Sequence, residues 1–239
     1  MVLIRGILFN ILVSIWGIVI PLIYCSVFIT KNSEKADKGA KIWSFCIAWF
    51  LKKFVGINYE IRGKENLPEK GGFIIACKHQ SMWDTYIMHL VFDRPVYVYK
   101  KELLKIPFYG WFISKMSGIV VDREGGAKAL KNLISETKNY INKNQVVIIF
   151  PQGTRTSIGS NTRDYPYQPG IAALYSVIDA KIIPAALNSG LYWNKKGLTG
   201  KSGTIILEFL PEISAGLSKK EFMVALENAI ETKSAQLLY

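Results

Sequence analysis

The N-terminal part of the chain is an almost uninterrupted apolar run from Ile7 to Thr30, broken mainly by Asn10, Ser14 and Ser26. An α-helix rises ~1.5 Å per residue, so a helix of this length is long enough for a ~30 Å hydrocarbon core. The run is longer than the apolar part of a signal peptide, and no A-x-A-like cleavage site follows it. We therefore expect a membrane anchor, with a cleaved signal and a buried core helix as the alternatives.

A second apolar segment, Ile42–Leu51, contains four aromatic residues and lies between lysines, with Lys41 before it and Lys52 and Lys53 after it. About ten apolar residues are too few to span a bilayer. Aromatic side chains between lysines are typical of a helix that lies among lipid headgroups. The alternative is a helix packed on the rest of the protein, since aromatic stripes are often part of a core.

The charges around the first run predict its orientation. Arg5 precedes the run, and several lysines follow it. These lysines are Lys31, Lys35, Lys38 and Lys41. Because lysine and arginine are enriched on the cytoplasmic flanks of membrane segments, the bulk of the chain is expected in the cytoplasm, whether the run crosses the bilayer or lies in it. We place a domain boundary near Val55–Gly56, between membrane-anchoring helices (1–55) and a second domain (56–239).

From residue 57 onward, short apolar runs alternate with longer amphipathic stretches. Short β-branched runs predict strands, and apolar positions at helical spacing predict helices. This alternation is typical of an α/β fold with a mainly parallel central sheet flanked by helices, here preceded by a hydrophobic helical membrane-binding segment. The predicted strands are Asn58–Arg62, Phe73–Cys77, Val96–Tyr99, Ile119–Val121, Val146–Phe150, Lys181–Ala186 and Thr204–Phe209. The predicted helices are Met82–Val91, Phe108–Lys115, Ala127–Asn142, Ile171–Val177 and Lys219–Leu237.

The net charge narrows the range of partners. Half of the 239 residues are apolar, which favours a packed core over disorder, and the formal net charge is +12. A basic surface favours nucleic acid or anionic lipid. The hydrophobic N-terminus favours membrane lipids, and no nucleic-acid-binding motif is recognised, so we expect no nucleic-acid partner.

The cysteines and the second histidine are interpreted as structural. Cys25, Cys46 and Cys77 are widely spaced in apolar surroundings, which argues against a disulfide framework or a zinc site. They are expected to be small core residues in a reducing compartment. His89 lies among apolar residues and is expected to be structural. We expect no metal site.

The segment Lys78–Asp84 carries the first candidate for chemistry, with His79 and Asp84 five positions apart. In one continuous helix, five positions separate side chains by ~140°, so the pair needs a helix that starts between its members. A strand that ends before His79 and a helix capped by Ser81 provide this geometry. Asp84 would then hold one imidazole nitrogen and leave the other as a base. The alternative is a capping box, in which Ser81 and Asp84 only begin the helix.

The second candidate is Phe150–Arg155, which follows an apolar strand and contains a proline and a glycine that predict a turn. α/β proteins place their ligands at the carboxyl ends of strands. An arginine in such a turn is suited to hold a phosphate through two parallel hydrogen bonds. The alternative is an ordinary turn with a solvated arginine at position 155.

These residues resemble the 1-acyl-glycerol-3-phosphate acyltransferases of the glycerolipid acyltransferase superfamily. The resemblance covers roughly residues 59–209, and the hydrophobic N-terminal segments look like the family's membrane-binding helices. The segment that begins at Lys100 also resembles a family segment. The four family blocks are matched in order: His79 to Asp84 (H-x4-D), Gly118–Arg123, Phe150–Arg155 (F-P-E-G-T-R) and Ile183–Ala186.

The resemblance implies transfer of a fatty acyl group from acyl-CoA or acyl-carrier protein to the sn-2 hydroxyl of 1-acyl-sn-glycerol-3-phosphate. The product is phosphatidic acid, and the implied place is a bacterial-type inner membrane with the catalytic domain on the cytoplasmic side. His79 is then the catalytic base and Asp84 the carboxylate that orients it, with no cofactor. The residues implied to bind substrate are Lys100, Arg123, Gln152, Gly153, Thr154 and Arg155.

The chain departs from the family pattern at two positions. Lys78 stands where many members have asparagine, and Gln152 stands where most have glutamate. Glutamine keeps the size and hydrogen-bonding capacity of glutamate but loses its charge. We expect an active enzyme, because His79, Asp84 and both motif arginines remain. The alternatives are an acyltransferase that uses another lysolipid, such as a lyso-ornithine lipid, and a membrane lipid-binding protein without turnover.

Overall fold

The short β-branched runs form strands, and the seven strands of the described residues belong to one sheet. The computed structural model describes residues 2–23, 33–195 and 201–239. Every strand predicted from the sequence is confirmed, with bounds that differ by at most one residue at either end. The strands are β1 (Ile57–Arg62), β2 (Ile74–Cys77), β3 (Val96–Lys100), β4 (Gly118–Val121), β5 (Val147–Ile149), β6 (Ile182–Leu187) and β7 (Gly203–Phe209).

The helices form where apolar residues recur at helical spacing. In the helix Gly126–Asn142, for example, Leu133, Thr137 and Ile141 lie one turn apart and are buried. The five helices predicted after residue 57 are confirmed. The helices are α1 (Val2–Ile23), α2 (Ser33–Phe50), α3 (Trp83–Val91), α4 (Tyr109–Ile113), α5 (Gly126–Asn142), α6 (Gly170–Val177) and α7 (Lys219–Gln236).

The strand order in the sheet is β1-β7-β6-β2-β5-β3-β4. All neighbouring strands pair in parallel except β6 and β7, which are antiparallel. The sheet is therefore mainly parallel, as predicted. β2 lies between β5 and β6, so the residues that follow β2 emerge from the middle of the sheet.

The two faces of the sheet pack into two hydrophobic clusters. Successive residues of a strand point to opposite faces, and β2 shows this alternation. Ile75 and Cys77 lie in the cluster that contains residues of α1, α2 and α3. Ile74 and Ala76 lie in the cluster that contains residues of α5, α6 and α7. Helices on both faces bury the central strands completely, which explains why these strands are apolar throughout.

Helix α1 packs one face on the domain and leaves an apolar stripe exposed. Phe9 is buried and its ring meets Trp193 edge to face at 5.2 Å, while Ile20 is buried in a small cluster with Phe112 of α4. The exposed stripe follows the helical repeat. Its residues, each about half exposed or more, are Ile7, Ile11, Ile15, Ile18 and Leu22.

Helix α2 begins earlier than the apolar segment predicted, because a polar stretch from Ser33 precedes that segment within the same helix. Ile47 is fully buried, and Trp43 stacks on Tyr86 of α3. Phe45 and Trp49 are exposed. The two interpretations of this segment thus apply to different faces of one helix: one face packs on the domain, and the other presents aromatic side chains outward.

Part of the predicted N-terminal run lies outside the described residues. Helix α1 ends at Ile23, and positions 24 to 30 of the run, including Cys25, are not described. Among the helices of the described residues, none is both long and apolar enough to cross a membrane. Between the N-terminal helices and the sheet, the chain makes a π-helical turn, Leu51–Val55, which Gly56 closes in the left-handed conformation (φ 78°).

Candidate active site

The two sequence motifs meet at one edge of the sheet. Because β2, β3, β4 and β5 are mutually parallel, their carboxyl ends lie at the same edge. His79 follows β2, Lys100 ends β3, Arg123 follows β4, and the loop 150–155 follows β5. β2 and β5 are direct neighbours in the sheet, so the two motif loops leave it side by side.

His79 and Asp84 are in hydrogen-bond contact, with Nδ1 of His79 2.8 Å from Oδ2 of Asp84. β2 ends at Cys77 and α3 begins at Trp83, so the helix starts between the two residues, as their spacing predicts. The Asp84 side chain is fully buried, whereas His79 keeps 14% of its side chain exposed. A carboxylate beside Nδ1 favours the tautomer that carries its proton there, which leaves Nε2 as a base.

The Asp84 carboxylate is held by several donors besides His79. Its Oδ2 accepts hydrogen bonds from the backbone N–H groups of Gln80 and Ser81, at 2.6 and 2.8 Å. Its Oδ1 accepts the hydroxyl groups of Ser81 and Ser189, at 3.2 and 2.5 Å. A carboxylate held by this many donors has little freedom to rotate.

The same carboxylate also takes part in the turn that precedes helix α3. Ser81 Oγ accepts the backbone N–H of Trp83 at 3.1 Å, while Asp84 accepts the backbone N–H of Ser81. The N-cap residue of α3 is Met82, which makes no side-chain capping hydrogen bond, so Ser81 and Asp84 do not form the expected capping box of this helix. Their hydrogen bonds instead hold the turn between β2 and α3 and keep the carboxylate beside His79.

Ser189 is a member of the site that sequence reasoning missed. It follows β6 in a short 3₁₀ turn, Ser189–Leu191, and its side chain is fully buried. Its hydroxyl reaches Asp84 across 105 positions of sequence. No local spacing connects the two residues, and only the pairing of β2 with β6 brings them together.

The loop after β5 is attached to His79 at two points. The ring of Phe150 stacks on the imidazole, with centroids 4.1 Å apart and planes inclined by 19°. The backbone carbonyl of His79 accepts the N–H and the hydroxyl of Thr156, at 2.8 and 3.1 Å. Stacking on one side and the Asp84 contact at Nδ1 together fix the plane of the imidazole.

Three cations lie beside this pair. Arg123 Nη2 donates to the carbonyl of Gly153 at 2.6 Å, which ties the second and third family blocks together. Gly153 has a φ of +62°, which favours glycine, and a Cβ there would displace the Arg123 guanidinium. Burial lowers the pKa of Lys100, and the positive charge of the nearby Arg123 lowers it further. Arg155 has no hydrogen bond or ion pair among the described residues, which leaves its guanidinium available to an anion.

These groups line one cavity of about 490 Å³. His79 and Phe150 line it together with the predicted cationic and loop residues, namely Lys100, Arg123, Gly153, Thr154 and Arg155. The rest of the wall is largely apolar and comes from helices α2, α3, α4 and α5 and from strand β3. A polar region rich in cations beside a long apolar region suits an amphiphile with an anionic headgroup.

Gln152 does not line this cavity, in contrast to the other residues implied to bind substrate. Its side chain is 3% exposed, and its Nε2 donates to Glu231 of α7 at 3.2 Å. Lys78 also points away from the cavity, and its Nζ lies 2.6 and 2.7 Å from the two carboxylate oxygens of Glu231. Both positions that depart from the family pattern thus contact the same carboxylate.

His89 is buried, as expected for a structural residue, and its ring contacts that of Tyr97 at 5.1 Å. Burial, with a smaller contribution from Lys41, lowers the pKa of His89 to about 4. Its imidazole is therefore neutral near pH 7. Of the cysteines, Cys77 is buried and Cys46 partly buried, both with free thiols.

Comparisons with known proteins show the family to which the chain belongs. The model of the Acyltransferase family matches residues 58–188, the part of the chain that contains both motif loops. The chain is 36% identical over 173 residues to the 1-acyl-sn-glycerol-3-phosphate acyltransferase of Pseudomonas aeruginosa, a match that covers 72% of this chain and 66% of that enzyme. It is 31% identical over 202 residues to the enzyme of the same name from Bacillus subtilis, covering 82% and 96% of the two chains.

A solved structure shares the fold over nearly the whole chain. The 1-acyl-sn-glycerophosphate acyltransferase PlsC from Thermotoga maritima matches with a TM-score of 0.71 at 20% identity, covering 99% of both chains. The family match and the relatives named for this activity define an enzyme of the acyl-transfer class. The chain belongs to the Acyltransferase family.

Proposed function

We propose that this protein transfers a fatty acyl group from an acyl thioester to the sn-2 hydroxyl of 1-acyl-sn-glycerol-3-phosphate and so forms phosphatidic acid. One observation carries this proposal: a single cavity contains the His79 imidazole, three cationic side chains and a long apolar wall. The base, the anion site and the acyl-chain site of such a reaction must lie together. The relatives named for this activity support the same acceptor.

His79 acts as the general base. Its Nε2 takes the proton of the sn-2 hydroxyl as the hydroxyl oxygen attacks the thioester carbonyl carbon. The tetrahedral intermediate then expels the thiolate, which receives that proton from the imidazolium. Asp84 stabilises the imidazolium and holds the ring in place. No protein nucleophile is required, because the acceptor hydroxyl attacks the donor directly.

The cations bind the phosphate and the apolar wall binds a fatty acyl chain. Arg155 and Lys100 approach the phosphate from two strand ends, and Arg123 fixes the turn at Gly153 while it adds positive charge. A planar guanidinium is suited to two parallel hydrogen bonds with phosphate oxygens. With the headgroup held in this way, the acceptor hydroxyl is presented to His79.

The protein works at a membrane surface. The apolar stripe of α1 and the exposed aromatic side chains of α2 are surfaces that lipid would cover. Lysines at both ends of the aromatic segment suit anionic headgroups. We place the protein on a bacterial-type inner membrane with the catalytic domain on the cytoplasmic side, and the acyl donor is acyl-CoA or acyl-carrier protein.

An acceptor comparison tests the proposal. Detergent-purified protein is given an acyl thioester and one of three acceptors: 1-acyl-glycerol-3-phosphate, the phosphate-free monoacylglycerol, or a lyso-ornithine lipid. We expect turnover with the phosphorylated acceptor to exceed turnover with monoacylglycerol by at least about tenfold, because two or more charge-assisted hydrogen bonds are lost without phosphate. Equal turnover of these two acceptors, or product from the lyso-ornithine lipid alone, would contradict it.

A further inference from the structure

A buried cluster lies behind the cavity, on the side of α7. The Glu231 carboxylate of α7 accepts hydrogen bonds from the ammonium of Lys78, from the side-chain amide of Gln152 and, at 2.9 Å, from the hydroxyl of Tyr167. The side chain of Lys78 is 4% exposed and that of Glu231 is 24% exposed, so the pair is largely removed from water. A buried ion pair with additional hydrogen bonds is costly to break from one side.

Each partner of Glu231 adjoins a residue that lines the cavity. Lys78 directly precedes His79, and Gln152 directly precedes Gly153, whose carbonyl holds Arg123. Glu231 itself does not line the cavity. Its carboxylate therefore connects the loop that contains His79 to the loop 150–155 from outside the cavity. This connection is additional to the contacts of Phe150 and Thr156 with His79.

The two departures from the family pattern are coupled through this carboxylate. A glutamate at position 152 would put a second carboxylate against Glu231, while an asparagine at position 78 would leave Glu231 without its cation. Lysine at 78 together with glutamine at 152 avoids both conflicts, and one carboxylate and one ammonium remain in the cluster. The negative charge that position 152 lacks is present at position 231 instead.

We propose that Glu231 is a positioning residue for acyl transfer. It joins the loop that contains His79 to the loop 150–155 through Lys78 and Gln152, and it supplies the carboxylate that this chain lacks at position 152. The proposal deepens the function proposed above and rests on it. Glu231 touches no reacting atom. It acts by keeping the imidazole and the phosphate site at a fixed separation, so its loss should lower kcat more than it weakens acceptor binding.

A charge-exchange experiment tests this role in the full-length protein. The single variants Glu231→Gln and Gln152→Glu are compared with the double variant that carries both, by kcat, acceptor KM and thermal unfolding. Glu231→Gln leaves the Lys78 ammonium buried without a counter-ion, and Gln152→Glu places a second carboxylate against that of Glu231. We expect each single variant to lose at least about tenfold in kcat with acceptor KM changed by less than about threefold.

The double variant moves the carboxylate from α7 to the loop and keeps one negative charge beside Lys78. We expect its kcat to recover to within about threefold of the wild-type value, far above the product of the two single effects. Glu227→Gln is the matched control, since it removes a carboxylate one turn earlier on the same helix, and its kcat should stay within about twofold. A wild-type kcat for Glu231→Gln, or additive losses in the double variant, would overturn the proposal.

The outcome remains distinguishable from failure of the proposed function. If wild-type protein acylates none of the lysolipids, the proposed function fails. The interaction between positions 231 and 152 is then measured from the thermal unfolding midpoints of the same variants. Recovery of the midpoint in the double variant would then still support the connection between the two loops, and additive destabilisation would refute it.

Discussion

Arg155 shows at the residue scale how the site is prepared for an anion. Its guanidinium lines the cavity with His79 and has no ion-pair partner among the described residues. Arg123, by contrast, already donates to the Gly153 carbonyl, and Lys101 is paired with Asp122 at 2.7 Å. Removal of this unpaired, partly buried guanidinium should weaken binding of the substrate phosphate most directly.

Replacing Arg155 by alanine should raise the KM for 1-acyl-glycerol-3-phosphate by about 10-fold to 100-fold, because a hydrogen bond to a charged group contributes about 1.5–3 kcal/mol. Turnover of monoacylglycerol should be little changed. Arg163→Ala, in the exposed loop beyond the site, is the control, and steady-state kinetics with both acceptors provides the measurement. An unchanged KM for the phosphorylated acceptor would remove Arg155 from the phosphate site.

The sequence identified the residues that act through local spacing and missed those that act through the fold. His79 and Asp84 are predicted because they flank a helix start, and Arg155 because it lies in a turn directly after a strand. Ser189 and Glu231 could not be predicted, since each contacts a motif residue from an element distant in sequence. The substrate-binding role expected for Gln152 remains untested, but the structure directs its side chain toward α7 instead of the cavity.

At the scale of secondary structure elements, α5 forms one wall of the cavity. Gly126, Ala129, Leu130 and Leu133 of this helix line the apolar region. A larger side chain at Ala129 would narrow this region without disturbing the fully buried core, because Ala129 is partly exposed. The length of the bound acyl chain is therefore sensitive to this position.

Replacing Ala129 by phenylalanine should reduce turnover with long-chain substrates by about tenfold and spare short-chain ones, since a poorly accommodated chain loses about 0.8 kcal/mol for each CH₂ left unburied. Assays with octanoyl and palmitoyl donors, and with acceptors of matched lengths, measure the effect. Ala127→Phe, on the exposed side of the same helix, should show no such selectivity. Equal losses at all chain lengths would contradict an acyl-chain site along α5.

The exposed face of α1 is the second element with a testable role. Replacing Ile11, Ile15 and Ile18 together by asparagine should lower binding to vesicles that contain anionic lipid by more than about tenfold, because burial of each such side chain is worth about 1.5–3 kcal/mol. Co-sedimentation with vesicles measures the binding. Val177→Asn with Val224→Asn, which changes exposed valines of α6 and α7, serves as the control. Unchanged sedimentation of the α1 variant would separate this face from the membrane.

The element boundaries after residue 57 could be predicted because the short β-branched runs and the helical repeats are unambiguous in this chain. The start of α2 could not, since the stretch from Ser33 to Lys41 is polar and carries no apolar period that separates helix from loop. The helix forms because its following turns pack on α1 and α3, with Ile47 in the main core.

At the scale of the whole molecule, the sheet order determines which loops meet. Strand–helix alternation predicted a parallel sheet, but it does not state which strands are neighbours. β1 and β7 are parallel to each other and antiparallel to the other five strands, an orientation that no local pattern encodes. The central position of β2, between β5 and β6, is the feature that assembles His79, the 150–155 loop and Ser189.

His89 links whole-molecule stability to pH. Its pKa is about 4 in the folded protein, because the ring is buried, against 6.5 when exposed. The unfolded chain therefore binds more protons between these values, and stability falls as pH decreases from 6.5 toward 4. His89→Gln should abolish this contribution. The free energy of unfolding should therefore fall by about 2 kcal/mol more in the wild type than in the variant between pH 7.5 and pH 5. Urea unfolding at the two pH values measures the difference, and equal losses would show that His89 is hydrated when folded.

The most direct test of the account is acyl transfer by the wild type beside His79→Ala and Asp84→Asn, in detergent, with 1-acyl-glycerol-3-phosphate and either acyl-CoA or acyl-carrier-protein thioester. Circular dichroism and unfolding midpoints establish that the variants are folded. We expect phosphatidic acid from the wild type, a loss of at least about 10³-fold in His79→Ala, and a loss of similar order in Asp84→Asn, because asparagine neither stabilises the imidazolium nor accepts the Nδ1 proton as the carboxylate does. Wild-type turnover in folded His79→Ala would contradict the account.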